Sequence, residues 1–168
     1  GNLIMPNSNP FFKKYDLPFD TLPFNDMKTK HFIPAIKKAM QTSKDNIKSI
    51  YMNREEPNFK NTILAFETSS EELGRVVGAY WFLFGTNSDT DFKELAQKIS
   101  PMMSTHKNDY VLNPNLYNKI KSVYDNRKNN NSYDEHDVKL IEDTHKYFIR
   151  NGASLNDEDK EQLRDIDQ

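Results

Sequence analysis

Between Thr29 and Tyr51 the apolar residues recur at the spacing of one helical face. Phe32, Ile33, Ile36, Ala39, Met40, Ile47, Ile50 and Tyr51 fall three or four positions apart, Ser43 lies in the same stripe, and lysines 37, 38, 44 and 48 fill the gaps. A strand would need alternation every second residue, so this stripe commits the segment to an amphipathic helix. The spacing predicts about 20 residues, roughly 30 Å at 1.5 Å per residue. Pro34 belongs near its first turn, where a missing N–H costs little, and Arg54 to Pro57 ends it. No sustained two-residue alternation occurs elsewhere, and no repeat recurs at a fixed period, so the expected fold is all-α, a multi-helix bundle of five to six helices.

The remaining helices follow from caps and stripes. A second helical region is expected from about Phe59 to Phe84, capped by Asn58, with Ile63, Leu64, Leu73, Val76, Val77 and Tyr80 as apolar positions. Thr68-Ser69-Ser70, Gly74 and Gly78 weaken it and predict a bend near Ser69. Tyr80 to Phe84 is apolar on every side and is expected at the centre of a core. Thr86 to Thr90 reads as a turn and cap, opening a helix on Phe92, Leu95, Ala96, Ile99, Met103 and His106 that Pro101 is expected to kink. Asn113-Pro114 is a cap followed by a first-position proline, ahead of Leu116, Ile120, Val123 and Tyr124. Arg127 to Asn131 is a loop. Ser132-x-x-Glu135 reads as a capping box before Val138, Ile141, His145, Phe148 and Ile149, with Gly152 as the stop. Asn156 caps a last helix whose Asp157, Glu158 and Asp159 suit the positive end of its dipole.

Ahead of the helices, residues 1–28 carry Pro6, Pro10, Pro18 and Pro23 and read as an extended Pro/Phe-rich arm, with 29–168 as the helical domain. The arm's Phe11, Phe12, Tyr15, Phe19 and Phe24 favour packing across a body over exposure to water. Gly1 reads as a cleavage scar. The stripe of Leu163 and Ile166 stops at Gln168 without a stop signal, so the chain is expected to end inside a helix.

Composition removes several functions. The chain has no Cys, which excludes disulfides, thiolate metal sites and a cysteine nucleophile. Its 23 Lys and Arg nearly balance 25 Asp and Glu, so no basic field points to nucleic acid. The longest apolar run, Ala79 to Phe84, falls far short of the roughly 18 residues of a membrane span, and Gly1 to Pro10 lacks the basic start and apolar stretch of a signal peptide. A cytoplasmic protein is expected, or a periplasmic or surface-anchored one if a targeting segment has been removed. Hydrophobic residues make up 36% of the chain. Even with its five glycines added, the apolar share stays below the roughly 45–50% of an average soluble domain.

The chemistry-bearing residues form no constellation. H-E-x-x-H requires two histidines one turn apart to reach one zinc, and none of His31, His106, His136 or His145 has such a partner. His136 and His145 are nine positions apart, about two and a half turns, on opposite helix faces. Glu142-x-x-His145 is half of a di-iron motif whose second copy is missing, and reads as a polar pair on a partly exposed helix. No G-x-S-x-G elbow is present, and Gly74, Gly78 and Gly85 read as sites of close helix packing or bending rather than a phosphate loop. No catalytic, cofactor-binding or metal-binding residue is assigned.

Taken in order, however, Asn9-Pro10-Phe11-Phe12, Leu17-Pro18-Phe19-Asp20, His31-Phe32-Ile33-Pro34-Ala35-Ile36, Pro57-Asn58-Phe59-Lys60-Asn61-Thr62-Ile63, Ser100-Pro101, His106-Lys107-Asn108-Asp109 and Phe148-Ile149-Arg150-Asn151-Gly152-Ala153 form a pattern. It resembles the N-terminal region of the thimet oligopeptidase family of zinc metallopeptidases, nearest to its bacterial peptidyl-dipeptidase branch. Asn58 and Lys60 depart from that pattern, where a Thr and an acidic residue are usual.

The resemblance implies a larger, nearly all-helical parent with its active site in a deep channel and its zinc ligands far C-terminal to this segment. The N-terminal helices would form a wall of that channel, with the C-terminal catalytic domain of the same chain as partner and short peptides as substrates. The segment itself would be inactive and hold no cofactor, zinc belonging to the parent. The alternative is a stand-alone, non-enzymatic helical module that binds a protein or peptide.

Overall fold

A computed structural model describes residues 29–86 and 90–167. The arm expected over 1–28 and most of the turn expected over Thr86 to Thr90 lie outside the described residues. Within them the fold is all-α, with six helices of 11 residues or more: α1 (Thr29–Tyr51), α3 (Glu71–Thr86), α4 (Thr90–Val111), α5 (Pro114–Asp125), α6 (Glu135–Arg150) and α7 (Asp157–Asp167). Between α1 and α3 a π-helical segment, Phe59–Leu64, runs straight into the four-residue α2 (Ala65–Thr68). No described helix is long and apolar enough to cross a membrane.

The chain divides into two compact units. The first takes the chain up to Ser43 together with Ser70–Ile99, and the second takes Lys44–Ser69 with Ser100–Gln168. α1 and α4 therefore contribute to both, and the division of α4 falls beside Pro101, through which the helix runs.

In the first unit, the early part of α1 buries Phe32, Ile36 and Ala39 of the predicted stripe and Ala35 beside them, whereas Ile33 is only half-buried. Pro34 is the sixth residue of α1, at the start of its second turn and so near the first turn as expected. Phe32 meets Tyr80 edge-on at 5.5 Å and Phe92 at 6.4 Å, and Tyr80 stacks on Phe92 at 6.1 Å. Such ring pairs add about 0.5–1.5 kcal/mol each beyond their buried area. The Tyr80 hydroxyl donates to the Phe92 carbonyl at 2.5 Å.

The Tyr80 to Phe84 run corrects one expectation. Tyr80 is fully buried, but Trp81 and Phe82 remain 43% and 57% exposed. Successive residues turn about 100° around a helix, so a run that is apolar all round still turns only part of its circumference to one core.

The second unit is held by aliphatic packing and local caps. Ile47, Ile50, Ile63, Val111, Leu112, Leu116, Ile120, Val123, Ile141, Phe148 and Ala153 form its core, with α5 against both α6 and the π-helical segment. Asn58 caps that segment as expected. Its Oδ1 accepts from the Asn61 N–H at 2.8 Å, and the Asn61 Oδ1 accepts from the Asn58 N–H at 2.8 Å. The expected bend appears as a break at Ser69-Ser70, but the wide π turns before it carry no signal in the sequence. Asn113 caps α5, its Oδ1 accepting from Asn115 and Leu116, with Pro114 in the first turn.

α6 starts differently from the expectation. Its cap is Asp134, not Ser132: the Asp134 carboxylate accepts from the Asp137 N–H at 2.8 Å, and Asp137 returns the bond to the Asp134 N–H at 3.2 Å. The Ser132 hydroxyl is engaged instead with Asn130 Oδ1.

The Gly152 stop holds. Gly152 takes φ +97°, its N–H bonds to the Ile149 carbonyl at 3.1 Å, and the Ala153 N–H bonds to the Phe148 carbonyl at 3.0 Å. These two bonds define a Schellman end. Added bulk is excluded as well, since a Cβ here would stand 2.8 Å from Leu163 Cδ2. Gly74, Gly78 and Gly85 behave differently: among the described residues nothing lies within 4 Å of where their Cβ would be, so close helix packing is not their role. Asn156 caps α7 by accepting from the Asp159 N–H at 2.9 Å.

Candidate functional site

The four histidines occupy unlike settings. His31 is half-buried near the start of α1 in the first unit, and His136 is exposed in the first turn of α6. In the second unit His106 is buried in α4 with its ring edge-on to Tyr110 at 5.3 Å. Burial holds its pKa below the ordinary value, Lys44 pushes the same way, and Asp109 opposes them.

His145 lies face to face on Tyr124, centroids 3.8 Å apart and planes 6° apart, with Tyr117 beyond at 6.1 Å. The Arg127 guanidinium sits 4.0 Å from the same Tyr124 ring. Two groups so close to one ring cannot share a face, so Arg127 and His145 sandwich Tyr124. Burial lowers the His145 pKa, Asp125 opposes that shift, and Lys121 and Arg127 add to it. Glu142 pairs with Arg127 at 3.2 Å. The Glu142-x-x-His145 pair thus serves two different partners and forms no joint ligand set.

No three of the described His, Asp and Glu side chains converge on a point that could hold a metal. The described residues offer no ligand set for a zinc ion. The Tyr110 hydroxyl bonds that of Tyr147 at 2.7 Å, and burial followed by this bond drives its pKa far above the ordinary range, so it keeps its proton at neutral pH. Lys160 is buried in α7 and donates to the Leu112 carbonyl at 3.3 Å, which closes the C-terminal end of α4.

What the second unit does offer is a cleft of about 430 Å³ between the end of α1 and the π-helical segment with α2. This lies within the roughly 300–1,000 Å³ of ligand sites. One wall is Asn46, Ser49, Ile50 and Asn53, and the other is Asn61, Ala65, Thr68 and Ser69. Asn46, Ser49 and Ile50 follow the spacing i, i+3, i+4 on one face of α1, and Asn53 lies two residues beyond the helix end. Ile50 and Ser69 are buried, and no ionisable side chain is among the described residues that line it.

The positions of these polar groups are fixed. Asn46 Nδ2 donates to the Ser69 carbonyl at 3.1 Å, bridging the two walls. Asn61 is held by its capping box and by donation to the Glu56 carbonyl at 3.0 Å. Asn53 Oδ1 accepts from the Glu55 N–H at 2.9 Å, and the Asn53 carbonyl accepts from the Lys119 ammonium. Sequence reasoning missed this cleft, although Asn46 and Ser49 already share a face of α1.

No family model matches the chain. It is 30% identical over 160 residues to dipeptidyl carboxypeptidase of Escherichia coli strain K12, across 95% of this chain and 23% of that protein. The protein of the same name from Salmonella typhimurium strain LT2 is 27% identical over 158 residues, covering 94% and 23%. Oligopeptidase A of Haemophilus influenzae strain Rd is 25% identical over 167 residues, covering 96% and 23%. The chain is thus similar to dipeptidyl carboxypeptidase and oligopeptidase A over most of its own length, consistent with an N-terminal fragment of a thimet oligopeptidase-family protein. It spans about a quarter of the length of these relatives.

Proposed function

We propose that this chain is the non-catalytic N-terminal helical part of a larger zinc-dependent peptidase, a peptidyl-dipeptidase or oligopeptidase that hydrolyses short peptides. In this reading residues 1–28 are an arm, residues 29–168 are a helical domain, and that domain forms one wall of the channel through which peptides reach a catalytic domain in the same chain.

The observation that carries the reading is the alignment: 95% of the chain matches 23% of a protein named dipeptidyl carboxypeptidase. The described residues agree with a division of labour, because their histidines and carboxylates serve stacking, capping and ion pairs. The test is to express the whole open reading frame that contains this sequence, beside the 168-residue chain, and follow a quenched short peptide with and without a zinc chelator. Chelator-sensitive hydrolysis by the long protein and none by the chain is the expected result. Turnover by the chain supplied with zinc, or an inactive long protein lacking an H-E-x-x-H, overturns the proposal.

A further inference from the structure

The end of α6 holds a reactive sequence in an unreactive geometry. Asn151 is followed by Gly152, and glycine has no side chain to crowd an attack of its own backbone nitrogen on the preceding asparagine amide. That attack closes a five-membered ring through Asn151 Cα, Cβ and Cγ and the Gly152 nitrogen. Closure eclipses Cβ and this nitrogen about the Cα–C bond, which for an L residue means ψ of about −120°. Asn151 stands at φ −99° and ψ 11°, roughly 130° away in ψ. Both reacting groups are also held. Asn151 Nδ2, the leaving group, donates to the Tyr147 carbonyl at 2.8 Å. The nucleophile's N–H donates to the Ile149 carbonyl at 3.1 Å. Gly152 itself is buried, and Leu163 of α7 closes over it: a Cβ there would stand 2.8 Å from Leu163 Cδ2 and 3.1 Å from Leu155 Cδ1. The backbone at Gly152 therefore has no room to swing toward Asn151 Cγ until α7 moves.

We propose that Asn151 is a latent deamidation site, closed by the helix end and by α7, and converted irreversibly when that end opens. On opening, the Gly152 nitrogen gives its proton to hydroxide and bonds to Asn151 Cγ. The Cγ–Nδ2 bond breaks, and ammonia leaves with a proton taken from water. Water then adds to either carbonyl of the succinimide, leaving aspartate or, with the main chain rerouted through Cβ and Cγ, isoaspartate. One water is consumed and one ammonia released, with no change of oxidation state. Neither product rebuilds the lock. A carboxylate has no hydrogen for the Tyr147 carbonyl, and it puts negative charge at the negative end of the α6 dipole. Isoaspartate also adds a backbone carbon ahead of Gly152, so the Gly152 and Ala153 N–H groups no longer fall on the Ile149 and Phe148 carbonyls. α7 is anchored by Leu163 on Gly152 and by Lys160 on the Leu112 carbonyl, and it loses the first of these anchors. The site thus records a local opening of the corner between α6 and α7 and then perpetuates it.

The test is peptide mapping by mass spectrometry, with aspartate and isoaspartate products separated by chromatography, on the 168-residue chain kept folded and in urea in the same mildly alkaline buffer. Deamidation of Asn151 should be at least tenfold slower in the folded chain. Asn131, which precedes Ser132 in an exposed loop, is the internal reference and should slow less than threefold. Equal rates at Asn151 in the two states, or an equal slowing of Asn131, overturn the lock. Leu163→Ala opens the space over Gly152 and should speed the folded-state reaction at least threefold. Tyr80→Phe, which breaks the bond to the Phe92 carbonyl in the first unit, should leave it unchanged. If Leu163→Ala does not fold, Lys160→Met releases the other anchor of α7 and takes its place. An unchanged rate in the folded α7 variant, or the same acceleration by Tyr80→Phe, removes α7 as the gate and overturns the proposal. Asn151→Asp stands in for the aspartate product: amide exchange at Gly152 and Ala153 should speed at least tenfold, and unaltered protection there contradicts an end that stays open.

Discussion

In the first unit three rings from α1, α3 and α4 meet at Phe32, Tyr80 and Phe92, and the Tyr80 hydroxyl closes on the Phe92 carbonyl. The second unit buries mainly aliphatic side chains, and four helical starts and one helix end are fixed by local bonds at Asn58, Asn113, Asp134, Asn156 and Gly152. The contrast separates two ways of specifying a helical unit. Caps act within a turn or two and set where each short helix begins and ends, whereas the ring cluster acts across long sequence separations and sets which side of a long helix faces inward.

Truncating the ring that anchors each unit tests that contrast most severely. Phe148→Ala and Phe32→Ala each remove a fully buried phenyl and should cost about 3–5 kcal/mol, measured by urea unfolding. Phe148 also touches Phe66 and Tyr110. A cost below about 1 kcal/mol at either site would break the assignment of that core.

Gly152→Ala comes next. It forces a side chain into φ +97° and to within 2.8 Å of Leu163 Cδ2, and a loss of about 2 kcal/mol is expected, since the left-handed conformation alone costs roughly 1–2 kcal/mol. Gly78→Ala in α3 should instead stabilise by up to about 1 kcal/mol, because its Cβ meets no described neighbour. The opposite signs are the measurement.

The two possible starts of α6 give a smaller effect. Asp134→Ala should cost about 1 kcal/mol as a lost cap, while Ser132→Ala should cost less than about 0.5 kcal/mol because Ser132 lies in an exposed loop. A reversed order would restore Ser132 as the cap.

The last prediction concerns pH. His106 and His145, both in the second unit, have pKa values held below the ordinary 6.5, chiefly by burial. The unfolded chain therefore takes up protons first as pH falls. Stability from these neutral rings is complete above about pH 6.5 and is lost as pH drops through the window beneath it. The melting temperature should fall with acidification across that window, and His106→Gln with His145→Gln should flatten the slope. An unchanged slope would show that neither ring is held neutral by the fold.

Much of this was legible in the sequence. The α1 stripe, the Asn58, Asn113 and Asn156 caps and the Gly152 stop were all readable, because each depends on residues within about one or two turns. The π-helical segment was not, since its Asn58 and Asn61 bonds fit an ordinary helix start equally well. Ser132 and Asp134 are both good caps, and only the engagement of Ser132 with Asn130 selects between them. The candidate cleft was half legible. Asn46 and Ser49 share a face of α1, but Asn53 lies in the turn at residues 52–58 and the opposite wall comes from the segment that returns after it.

The sequence by itself determined the all-α class, the register of the long helices, the caps written in single residues, and the likeness to the N-terminal region of thimet oligopeptidases. Tertiary structure decided which of several adjacent apolar residues is buried, as with Tyr80 against Trp81 and Phe82, and which polar groups converge, as with His145 on Tyr124 and Asn46 across to Ser69. Periodicity and capping are local and written along one helix. Burial and convergence depend on where a second element places its own side chains.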